Sequence, residues 1–186
     1  MRKAARARRA YGAYEETGKT AAGRTALAAA RFAALFILAA AVLTGCGGSG
    51  DADISAYGDA PIEIEGLTDT AFVITPNELM ALPCVSRSAT GETAKAGTVK
   101  ATGPLLDTFL EKYNKKASDF NRIRFIASDA YRVVLRDEYL TDYEVVLSVA
   151  SGGDPLPVSE RPLRILIPDA ESSMWEYACV RIEFVE

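Results

Sequence analysis

Three cysteines, Cys46, Cys84 and Cys179, are the only thiols in this chain of 186 residues, and it contains no histidine. The thiols could be acylated, joined in a disulfide or bound to a soft metal. The absence of histidine removes Ser-His-Asp and Cys-His nucleophilic catalysis, and with them histidine-ligated zinc and haem. The surroundings of each thiol narrow the choice.

Cys46 follows Leu43-Thr44-Gly45 and precedes Gly47-Gly48-Ser49-Gly50. Upstream lie the apolar run Phe32 to Val42 and a segment, residues 1–31, with eight Lys or Arg against Glu15 and Glu16. A basic segment, a short apolar segment and a small-residue site ending in cysteine resemble a bacterial lipoprotein signal. Cleavage before Cys46 and lipid on its sulfur are the implied processing, so residues 1–45 are read as signal and not as fold. A membrane span is the competing reading, but residues 32–44 supply 13 apolar or small positions where a span needs about 20. Arg8-Arg9 invites a twin-arginine export reading that Ala10-Tyr11-Gly12-Ala13 fits poorly. The expected location is the outer face of the cytoplasmic membrane or the periplasm, with the membrane held through lipid on Cys46.

Beyond Cys46 the chain carries 13 basic and 23 acidic residues, a net charge of −10. An acidic domain is repelled by phosphate backbones, so nucleic acid is not an expected partner. Cys84 and Cys179 then form an even pair in an oxidising compartment, which predicts a disulfide. Closing so long a loop is worth about 4–5 kcal/mol in the chain-entropy model. Two buried free thiols are the alternative.

These groups need a scaffold. Residues 46–60, rich in Gly, Ser, Asp and Ala, read as a lipidated flexible tether, and residues 61–186 as the domain. Ile62-Glu-Ile-Glu65 alternates as a strand, and residues 71–74 form a second. Thr75-Pro-Asn-Glu78 has the makings of a capping box, with Pro76 suited to the first helical position and Pro83 as the stop. Residues 84–90 and 98–102 read as strands. Gly103-Pro104 opens a helix whose apolar face is Leu105, Leu106, Phe109, Leu110 and Tyr113. Strands follow at 123–127, 131–135, 145–149, 162–167 and 179–185, with Asp129 capping a turn through its own side chain. Trp175 reads as a packing aromatic. Asp137, Glu138 and Asp142 read as a solvated acidic loop, too sparse in spacing for calcium. Without a βαβ rhythm, the expected class is α+β: one mixed-sheet domain of about eight strands and two short helices.

The order of these pieces resembles the sulfite-oxidase-type molybdopterin-binding domain. Thr75 to Pro83 resembles the helix before its first core strand, and Gly103 to Leu110 its Gly-x-x-Leu-x-x-Leu-Leu helix. Phe125 to Tyr131 resembles its strand ending in Asp-Gly-Tyr, and Gly152 to Pro157 its Pro-Leu-Pro turn. Arg161 to Pro168 resembles its Arg-Leu-x-x-Pro strand, and Met174-Trp175 with Arg181-Ile182-Glu183 its ending. The resemblance covers residues 62–186. It implies a molybdenum site formed by a pterin dithiolene and one cysteine thiolate, with Arg87, Asp129, Tyr131, Arg132 or Arg164 as candidates to hold cofactor or ligand.

The implied thiolate position falls near Ser88 to Gly91, where no cysteine stands; Cys84 follows Pro83 directly and serves only if the strand is shifted. Ala130 replaces the family's glycine, and Met174 its lysine. The expected function is therefore a lipid-anchored, extracytoplasmic domain, degenerate at the metal site, that binds a ligand or an envelope partner protein. The alternative is an active molybdopterin-dependent oxidoreductase passing electrons to a membrane or haem partner.

Overall fold

The long strand that ends the chain, Glu176–Val185, organises the domain because three other strands bond to it. In the computed structural model, residues 52–91, 97–136 and 138–186 are described. Cys46, the signal and the tether up to residue 51 lie outside them. In chain order the strands are β1 Ile62–Glu65, β2 Phe72–Ile74, β3 Cys84–Thr90, β4 Thr98–Pro104, β5 Arg122–Ala127 and β6 Arg132–Leu135. They continue as β7 Val146–Ser148, β8 Ala150–Ser151, β9 Asp154–Pro155, β10 Leu163–Leu166 and β11 Glu176–Val185. The helices are α1 Pro76–Met80, α2 Leu106–Glu111 and α3 Glu138–Thr141. No helix among the described residues is long and apolar enough to cross a membrane.

The described residues form two sheets, with eleven strands and three short helices where about eight and two were expected. Seven strands follow the path β2-β1-β11-β10-β7, with β5 joined to β11 and β6 to β5; the other four run β3-β4-β8-β9. The larger sheet is mixed, since β1 pairs with β11 in parallel while its other ladders are antiparallel. The extra strands are two-residue pieces, β8 and β9, that carry no periodicity. The chain changes sheets at Val149, whose N–H bonds to Thr102 O at 3.0 Å between β7 and β8. Strands that switch sheets in this way form the corners of packed-sheet folds.

Alternation sets the faces. Ile62 and Ile64 on β1 and Ile123 and Phe125 on β5 are fully buried, while Glu63, Glu65, Arg122 and Arg124 lie on the other side. There Arg181 meets Glu63 at 2.8 Å and Arg124 meets Glu183 at 2.9 Å. Such surface pairs contribute about 0–1 kcal/mol each, so the buried apolar face carries the stability. The helix expected from Gly103 begins at Leu106, because residues 103–104 still belong to β4; it buries Leu106, Phe109 and Leu110. The capping box of α1 forms: Glu78 N donates to Thr75 Oγ1 at 3.3 Å, and Thr75 N to Glu78 Oε2 at 2.7 Å. The acidic stretch expected to be a solvated loop contains a third helix, α3, which buries Leu140.

The domain also begins earlier than expected. Residues 52–60 fall within the span read as tether, yet Ala52, Ile54 and Tyr57 pack with Ala150 and Leu156 in a second apolar cluster. The buried Tyr57 hydroxyl donates to Val149 O at 2.7 Å and accepts from Leu156 N at 2.9 Å. The Arg161 guanidinium covers its ring at 4.6 Å. Tyr57→Phe leaves a buried carbonyl and a buried N–H unpaired, so urea titration is expected to show a loss of about 1–3 kcal/mol. A loss below about 0.5 kcal/mol would mean that water replaces the hydroxyl.

Candidate functional site

Of the three arginines expected as phosphate holders, Arg87 and Arg164 are held by carboxylates of the chain itself. Arg87 on β3 makes a two-point ion pair with Glu144: Nε donates to Oε2 at 2.7 Å and Nη2 to Oε1 at 2.9 Å. Each partner stabilises the other's charged form, raising the Arg87 pKa and lowering that of Glu144. Arg164 on β10 is 2% exposed. Its Nη1 donates to Glu160 Oε2 at 2.5 Å, and its Nη2 donates to Lys100 O and, at 3.4 Å, to Ser148 Oγ. Since Lys100 lies on β4, Arg164 ties the two sheets together. Arg164 is closed off from solvent, whereas Arg87 is partly exposed with its charge taken up by Glu144.

Asp129 and Tyr131 sit at the β5–β6 turn. Asp129 Oδ1 accepts from Tyr131 N at 2.9 Å, the expected turn-capping role, and the Tyr131 ring is 56% exposed. Among the described residues no hydrogen bond or ion pair joins either one to Arg87 or Arg164. Arg132, at the start of β6, is exposed. Trp175 is a packing aromatic with its indole N–H satisfied by Ile167 O at 3.0 Å.

The expected Cys84–Cys179 disulfide does not form. Cys179 is a free, fully buried thiol on β11, opposite Leu163 and Ala127, whereas Cys84 opens β3 in the other sheet, opposite Pro104. Burial pushes the Cys179 thiol up to about 12, which removes it as a thiolate nucleophile or ligand.

A molybdopterin does not fit these residues as the resemblance requires. On β3 the implied thiolate position is occupied by Ser88, Ala89 and Thr90, and Cys84 is at the opposite end of that strand. Among the described residues no three Cys, Asp or Glu side chains converge as a metal set would. No step can be derived through the cofactor here.

A well-formed cavity lies elsewhere among the described residues. It is a groove of about 680 Å³ lined by Asp107, Glu111, Asn114, Lys115, Lys116 and Leu140, where α2, the 3-10 turn Ala117–Asp119 and α3 meet. A smaller recess of about 170 Å³ shares Asp107 and Leu140 with it and adds Tyr139, Tyr143 and Glu144. The two tyrosine rings stack at 4.9 Å. Glu144 thus belongs to the recess and also binds Arg87. This volume lies within the range of small-ligand pockets, about 300–1,000 Å³. Sequence reasoning missed it, because its walls are joined only by the packing of three separate elements.

Sequence reasoning also missed Glu176. It is 2% exposed, and desolvation, with a smaller contribution from the Asp129 charge, pushes its carboxyl from 4.5 up to about 7. The backbone N–H groups of Tyr177 and Val133 oppose that shift.

No protein-family profile matches the chain, and neither does any curated protein sequence. Among solved structures, the chain is similar to the crystal structure of the sulfane dehydrogenase SoxCD from Paracoccus pantotrophus. Sequence identity is 18%, the TM-score is 0.55, and the match covers 69% of this chain and 38% of that one. The chain therefore spans about two fifths of that structure's length. The likeness concerns the fold alone, which this chain shares with part of that structure.

Proposed function

We propose that this chain is a lipid-anchored, extracytoplasmic lipoprotein whose molybdopterin-oxidoreductase-like domain binds a small ligand or an envelope partner instead of carrying out molybdenum redox chemistry. The observation that carries this reading is the neutralisation of Arg87 by Glu144 and of Arg164 by Glu160. A cofactor phosphate would have to displace those carboxylates, and Arg164 could not be released without leaving Glu160 and the Lys100 carbonyl unpaired. The lack of a thiol at positions 88–91 supports the same reading. The groove beside α2 and α3 is the place for the ligand. Lys115 is paired with Glu186 at 2.7 Å, and the groove's carboxylates, Lys116 and the Asn114 amide suit a small polar molecule carrying both hydrogen-bond donors and acceptors.

The test is the composition of the full chain expressed and exported in a host that makes molybdopterin. The expected result is less than about one molybdenum per ten chains, and lipid label that is lost in Cys46→Ser. Stoichiometric molybdenum with a fluorescent pterin oxidation product would instead establish the oxidoreductase reading. Unlabelled Cys46 would remove the anchor.

A further inference from the structure

Around Glu176 several features that natural folds avoid occur together. Ala178 on β11 is held at φ 51°, and Ala130 at the tip of the β5–β6 turn at φ 69°. Both occupy the left-handed region that a Cβ disfavours. They are coupled, because Ser128 N donates to Ala178 O at 3.0 Å. β11 shifts register between Cys179 and Arg181, just past this point. Next to it lies the buried Glu176 carboxyl. Its Oε1 accepts from Tyr177 N at 3.1 Å, and the backbone of Val133, on the strand that ends this sheet, also favours its charged form. Its Oε2 has no partner among the described residues.

The groups around it give no charge relief. The β5–β6 turn contributes Asp129, which repels an ionised Glu176, and its own strand contributes Tyr177 and Cys179. From β10 and the 3-10 turn Val158–Glu160 come Arg164 and Glu160, which are paired with each other and act on Tyr177. Arg132 at the start of β6 is exposed. A carboxylate in this position faces no unpaired cation among the described residues and is shielded from bulk solvent.

We propose that the β5–β6 turn is a proton-controlled latch: with Glu176 protonated the turn closes on β11, and when that proton passes to water the turn opens and lets solvent reach the carboxylate. The strained alanines lower the cost of opening the sheet here, and opening moves the exposed Tyr131. In the open state Glu176 is hydrated and titrates at its ordinary 4.5, whereas in the closed state it titrates near 7. The closed state binds the extra proton, so it is favoured at low pH. The open fraction grows about tenfold per pH unit from 4.5 to about 7 and is level above that.

Native-state hydrogen exchange on the full chain reads this directly. Protection of the Val133 and Tyr177 amides, corrected for intrinsic rate, is expected to fall about tenfold per pH unit between about pH 5 and 7. In Glu176→Gln it is expected to be independent of pH. Wild-type protection that is level over this range overturns the latch, as does a glutamine variant that tracks the wild type. If Glu176→Gln does not fold, acrylamide quenching of Trp175, the chain's single tryptophan and Glu176's neighbour, decides the matter. The wild type should show a pH-dependent step that moves to lower pH in Asp129→Asn, because the Asp129 charge raises the Glu176 pKa. The absence of a step, or a midpoint that does not move, overturns the proposal.

Discussion

Arg164→Met is expected to destabilise the domain by about 3–5 kcal/mol, the range found when one partner of a buried ion pair is removed. The side chain is 2% exposed and bonds to groups from three places: Glu160, Lys100 O on β4 and Ser148 on β7. Methionine fills part of the volume but returns none of those bonds. It leaves a carboxylate that is itself only 20% exposed without its cation. The double variant Arg164→Met, Glu160→Gln separates the two costs. If the stranded charge dominates, the double variant recovers a large part of the loss and the cycle gives a coupling above about 1 kcal/mol. Additive losses would place the cost in the lost sheet-to-sheet contact with Lys100. A loss below about 1 kcal/mol in the single variant would contradict the staple role altogether.

Gly103→Ala is expected to cost about 3 kcal/mol, the upper end for overpacking, because the obstacle is backbone. A Cβ at position 103 would lie 2.0 Å from Leu147 O, 2.8 Å from Leu147 C and 3.1 Å from Ser148 Cα. No rotamer change relieves such an overlap, so β4 and β7 must separate where the two sheets meet. Gly97→Ala is the control. Its glycine has φ 57° with nothing within 4 Å of a new Cβ, so only the left-handed penalty of about 1–2 kcal/mol applies. Thermal unfolding of both variants checks the contrast. Equal losses would mean that conformational strain, and not the collision with Leu147, governs position 103.

Some of this architecture was legible because it is local. Ile62-Glu-Ile-Glu65 alternates in sequence and alternates in burial. Thr75 and Glu78, three residues apart, form both bonds of the capping box. Asp129 caps its turn with a bond to Tyr131, two residues away. Other elements were not legible for equally definite reasons. A two-residue strand such as β8 has no period to detect, and the sheet switch at Val149 depends on Gly103 passing close to Leu147. Residues 52–60 look like a tether by composition, but Tyr57 finds Val149 O and Leu156 N from residues 92 and 99 positions away. The disulfide was inferred from even thiol number, and it fails because the two cysteines stand in different sheets.

By itself, the sequence determined the chemistry that is closed to this protein and the pieces from which it is built. The lack of histidine, the lack of a thiol at 88–91, the acidic balance beyond Cys46 and the strand and helix periods all follow from residue identity. Only the tertiary structure decided what the charged side chains do. Arg87 found Glu144, 57 residues away, and Arg164 found Glu160 and the Lys100 carbonyl. Glu176 was left buried beside Asp129 without a cation. A charge removed from water must find its counter-charge or give up its ionisation, and which of these happens is fixed by neighbours that sequence distance does not reveal.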